Sequence, residues 1–91
     1  MSSDHGHGGA WNGLALQLRR TLHGLSLEDL RQEMKKLGHD VSMSTIARWE
    51  RDERAPSRPE LADAMASIFH CSVLTFYRKP ILTFDAQDDE A

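Results

Sequence analysis

Four arginines, Arg48, Arg51, Arg54 and Arg58, follow one another closely, and Met43, Ser44, Thr45 and Ala47 lie just before them. An arginine fork matches guanine O6 and N7 bidentately. Serine and threonine hydroxyls bond base edges or phosphates, and a methionine or alanine can touch a thymine methyl. Such a set requires a polyanionic partner, and for a chain this small the expectation is the major groove of double-stranded DNA. The plainer alternative is a solvated charged face, with the arginines paired to Asp52 and Glu53.

The residues can act together only if a short helix presents them. Ser42 is placed to cap one, and Ile46 and Trp49 fall on its inward face, which leaves Ser44, Thr45, Ala47, Arg48 and Arg51 outside. Upstream, apolar residues at 11, 14, 15, 18 and 22 predict a first helix buried along that stripe and stopped by Gly24. Ser26 with Asp29 forms a capping box for a second helix, whose apolar stripe is Leu27, Leu30, Met34 and Leu37. Downstream, Ser57-Arg58-Pro59-Glu60 reads as another capping box with proline in the first turn. Leu61, Ala64, Met65, Ile68 and Phe69 supply that helix's buried face. Ser72 starts a final short helix with Val73, Leu74, Phe76 and Tyr77. The expected fold is all-α: five helices in one compact domain over 10–79. It carries a flexible polar arm at 1–9, then a short apolar patch and an acidic tail over 80–91.

Charge is distributed accordingly. The chain of 91 residues has a net charge of −3, yet every lysine and arginine lies between Arg19 and Lys79, leaving that core mildly basic. The acids Asp85, Asp88, Asp89 and Glu90 are exported to the tail. This composition permits DNA binding, which depends on local phosphate neutralisation. No apolar run is long enough to span a membrane, and residues 1–9 lack the apolar region of a signal peptide. A single cysteine, Cys71, rules out an internal disulfide framework and fits a reducing cytoplasm. His5, His7 and Cys71 lack metal-ligand spacing, and no Ser–His–acid or Cys–His set suggests catalysis. Neither a metal, a cofactor nor an enzyme activity is expected.

In Gly24-Leu25-Ser26-Leu27-Glu28-Asp29-Leu30, Val41 to Glu50, Arg54-Ala55-Pro56-Ser57 and Met65 to Ser72, the chain resembles the lambda-repressor-like (Cro/phage-repressor, XRE-type) helix-turn-helix family. The resemblance implies a DNA-binding transcriptional regulator, a repressor acting as a homodimer in a bacterial or phage-infected cell, associated with the nucleoid. It assigns base reading to Met43, Ser44, Thr45, Ala47 and Arg48. Phosphate contacts fall to Arg51, Arg54, Arg58 and the helix start capped by Ser26. Asp52 stands where the family often ends this helix with glycine, which predicts a less sharp stop. Arg31 replaces a small residue at a helix crossing.

The family also has a buried arginine–glutamate pair, and Glu50 matches its acid. Counting back from Gly24 selects Arg20 as the partner. Periodicity referred to Leu18 places Arg20 about 200° round the helix and Arg19 at about 100°, so Arg19 is expected to pair with Glu50. Phe76, Tyr77 and the patch Ile81-Leu82-Thr83-Phe84 are candidates for a dimer contact or a protein partner, or else for packing onto their own core. The alternative function is a protein-interaction module, of antitoxin or phage accessory type, with weak or no DNA binding.

Overall fold

The computed structural model describes residues 10–78. The arm at 1–9 with His5 and His7, the patch at 81–84 and the acidic tail lie outside the described residues. Within them run β1 (Ala10–Trp11), α1 (Gly13–Leu22), α2 (Leu27–Lys36), α3 (Met43–Glu50), α4 (Pro59–Phe69), a 3₁₀ turn (Val73–Phe76) and β2 (Tyr77–Arg78). The fold is mostly helical, with four α-helices where five were expected. The fifth segment closes as a single 3₁₀ turn, started by Ser72, whose hydroxyl accepts from the Leu74 N–H at 3.1 Å. It then passes directly into β2, which pairs antiparallel with β1 in the register Trp11↔Tyr77.

The helix starts follow the sequence in two cases and depart from it in one. Ser26 and Asp29 form the reciprocal box on α2, and Ser42 accepts from the Thr45 N–H on α3. On α4 the expected Ser57 box does not form: Arg58 is the cap residue, without a side-chain cap bond. Proline in the first turn has φ already suited to the helix and needs no donor, so α4 starts without that box.

All four helices end alike. In each, the two residues beyond the last turn donate back to carbonyls of that turn, the first of them in a left-handed conformation. Gly24 and Gly38 fill that position after α1 and α2, whereas Asp52 (φ 60°) and His70 (φ 54°) fill it after α3 and α4. The recognition-type helix therefore stops as sharply at Asp52 as it would at glycine.

The core is built from Leu16, Leu30, Met34, Ile46, Trp49, Leu61, Met65, Phe69 and Phe76, with the small residues Ala62, Ala64 and Ala66 letting α4 approach closely. Phe76, Phe69, Trp11 and Tyr77 form a chain of tilted and edge-on ring contacts that seats the sheet on this core. Phe76 is fully buried and so is taken up by its own domain. Cys71 is half-buried against the same core.

The stripe expected along the first helix holds at Trp11, which is buried, and in part at Ala15, but is overturned at its leucines. Leu14, Leu18 and Leu22 face outward, and Gly13 and Leu16 face in. Gly13 decides this: a Cβ there would lie 2.1 Å from the Trp49 carbonyl oxygen and 2.6 Å from that of Glu50. The backbone of α1 is thus laid directly on the end of α3. The inward row is Gly13, Leu16, Arg20, spaced i, i+3, i+7. Neither a glycine nor an arginine registers in a count of apolar positions.

Candidate nucleic-acid interface

Arg20, not Arg19, pairs with Glu50. Its Nε donates to Glu50 Oε2 at 2.6 Å and its Nη2 to Oε1 at 3.0 Å, while Nη1 donates to the Leu25 carbonyl at 3.0 Å. The Glu50 side chain is 7% exposed and that of Arg20 17%. The hydrogen bonds it donates to Glu50 raise the Arg20 guanidinium above its usual range. The pair joins the end of α1, the α1–α2 turn and the end of α3. The Arg19 expectation used Leu18 as the marker of the buried face. Once the inward row is Gly13 and Leu16, Arg20 follows Leu16 by one helical turn and points the same way.

A second tie holds the same end of α3, and it was not foreseen from the sequence. The Trp11 indole N–H donates to the Trp49 carbonyl at 2.8 Å. Asp52 Oδ1 accepts from the Gly13 N–H at 2.8 Å, capping α1 where Asn12 makes no cap bond. Asp52 Oδ2 lies 3.2 Å from the Arg78 guanidinium. One carboxylate in a left-handed position therefore connects the end of α3, the start of α1 and β2. An aspartate at a glycine position and a tryptophan whose N–H must find a partner once buried were the available signals.

With its inner side so anchored, α3 turns Met43, Ser44 and Arg48 to solvent, with Thr45 and Ala47 half-exposed. Ser42 Oγ donates to Thr45 Oγ1 at 3.0 Å. Arg48, Arg54, Arg58, Thr45 and Ser57 line one cleft of about 250 Å³ between α3 and the start of α4. None of these three guanidinium groups makes a hydrogen bond or ion pair among the described residues. Arg51 differs: its Nε and Nη2 both contact the Glu53 carboxylate, at 2.8 and 3.3 Å. Arg51 in turn holds that carboxyl below its usual range. The solvated-pair alternative thus describes Arg51 but not Arg48, Arg54 or Arg58. Ser26 lies at the start of α2, its hydroxyl engaged with the Asp29 N–H at 3.0 Å.

Arg31 folds along α2 onto Glu28, with contacts of 2.8 and 2.6 Å, instead of crowding the crossing. Its hydrogen bonds, with that of Gln32, hold the Glu28 carboxyl down at about 2.

Two adjacent helices joined by a short turn, the second anchored from within and presenting the unpaired Arg48 outside, give the layout of a helix-turn-helix. A helix-turn-helix family model matches residues 16–76, more than half of the chain. The chain belongs to the lambda-repressor-like helix-turn-helix family. Neither a curated protein nor a solved structure matches it. In this helix-turn-helix chain α2 and α3 form the motif, and its family is one of DNA-binding regulators. Among the described residues no helix is long and apolar enough to cross a membrane.

Proposed function

We propose that this chain is a sequence-specific transcriptional repressor that acts as a homodimer and inserts α3 into the major groove of double-stranded DNA. The observation that carries the reading is the cleft beside α3, where Arg48, Arg54 and Arg58 stand together without an internal partner. Unpaired guanidinium groups, Arg48 on the anchored α3 and Arg54 and Arg58 in the segment between α3 and α4, are ready for phosphate and base edges at little reorganisation cost.

The N-terminal half of the recognition helix reaches base edges in this motif. Met43, Ser44, Thr45, Ala47 and Arg48 therefore read bases, with Arg48 bidentate to a guanine. Arg54 and Arg58, at the entrance to α4, hold backbone phosphate and set the register. Arg51 joins them only by exchanging Glu53 for a phosphate. The first-turn amides of α2, beyond Ser26, seat another phosphate. Residues 10–79 form the DNA-binding domain.

Selection of bound duplexes from a random pool, followed by gel shift, tests the proposal. A recurrent motif with a guanine within it is expected, bound at least ~10³-fold more tightly than scrambled DNA. Absence of binding even at low salt would overturn it.

A further inference from the structure

Helix α1 carries three of its four leucines on the side away from its own core. Leu14, Leu18 and Leu22 are 54%, 60% and 76% exposed, whereas Leu16 is fully buried. Spaced by four residues, the three leucines occupy an arc of ~80° on the helix surface. Leu74 of the 3₁₀ turn, which packs against α1, is also 63% exposed. Single exposed leucines need no explanation, but an unbroken row on one helix marks a contact surface.

We propose that this face of α1 is where a second copy of the chain docks. Three features of the row select that occupant. It is centred on Leu18, so a two-fold axis through Leu18 sets Leu18 against its own copy and Leu14 against the partner's Leu22. A self-complementary patch of this kind is what an isologous dimer requires. The row also follows the i±4 ridge, which interdigitates with the same ridge of a second helix in the commonest class of helix packing.

Charge agrees as well. One edge of the row is flanked by Gln17 and Thr21, both neutral, and the other by Ala15 and Arg19, and α1 carries no acid. Arg20 is turned inward to Glu50, and Arg19 lies ~100° from Leu18 around the helix. A two-fold axis through Leu18 carries the two Arg19 side chains to opposite edges of the contact, so pairing two copies opposes no like charges. A lipid surface is disfavoured, because a helix lying on a membrane is flanked by several cations and this face is flanked by Arg19 alone.

Three leucine side chains per copy supply less than half of the ~800 Å² per partner buried in a standard interface. The dimer is therefore weak and concentration-dependent on its own, and is reinforced when DNA holds two copies side by side. The proposal gives a surface to the homodimer proposed above but does not rest on DNA binding, since association is measured without DNA.

Sedimentation velocity of the full chain from about 10 µM to about 1 mM is the test, with Leu18→Glu as the variant. Position 18 is exposed, so the variant should keep the far-UV circular dichroism and melting temperature of the parent. The parent should move from monomer toward dimer across the range, with Leu18→Glu at least ~10-fold weaker in association. A parent that stays monomeric throughout, or a dimer that persists in Leu18→Glu, would overturn the proposal. So would a chain cut after Arg78 that dimerises far more strongly than the parent, since residues 79–91 would then be the natural cover of α1.

Discussion

Glu50 is the residue on which the orientation of α3 turns. Its carboxylate is almost fully enclosed and its two oxygens are both taken by Arg20. Removing one partner of such a pair strands the other, at a cost of about 3 kcal/mol or more. Arg20→Ala should therefore lose that much in urea unfolding, whereas Arg19→Ala, with no partner among the described residues, should stay within ~0.5 kcal/mol of the parent. Equal losses for the two would contradict the pairing. Family spacing alone selected Arg20, and helical periodicity selected Arg19. The physical reason is Gly13, whose missing side chain lets α1 rest on the carbonyls of Trp49 and Glu50. Hydrophobic patterning weighs side chains, so a face defined by close backbone approach is invisible to it. By contrast Ile46 and Trp49 were legible, because their spacing and their burial (0% and 2% exposed) agree.

At the scale of the elements, the four helix ends share one motif but not one residue. Glycine fills the left-handed position after α1 and α2, Asp52 and His70 after α3 and α4. A left-handed conformation costs an ordinary residue on the order of 1 kcal/mol. His70→Gly should therefore stabilise the protein modestly, by up to about 1 kcal/mol. Asp52→Gly removes the same strain but also the cap on the Gly13 N–H and the link to Arg78. Loss of a cap costs about 1 kcal/mol, so Asp52→Gly should be neutral or destabilising. Thermal melts of the two variants beside the parent decide the matter, and an equal gain in both would mean that the Asp52 tie contributes nothing. The boundaries of α2 and α3 were readable because Ser26 and Ser42 cap them in the expected way. The terminal sheet was not, since two-residue strands have no periodicity to detect, and their pairing joins residues more than sixty positions apart.

For the whole molecule, net charge is a poor guide to function. The chain is acidic overall, yet the cleft between α3 and α4 gathers three arginines whose guanidinium groups make no hydrogen bond or ion pair among the described residues. Binding to DNA depends on this local arrangement, with the phosphate contacts giving a salt-dependent, sequence-independent part and Arg48 the selective part. The two parts separate in one measurement: affinity for a selected duplex and for its scrambled counterpart, across a range of salt, in the parent, Arg48→Ala and Arg54→Ala. For Arg54→Ala, both affinities should fall together, with the salt slope smaller by about one. For Arg48→Ala, the preference for the selected duplex should fall by ~1–3 kcal/mol, about 5- to 150-fold. An Arg48→Ala chain that keeps the full preference of the parent would contradict the account.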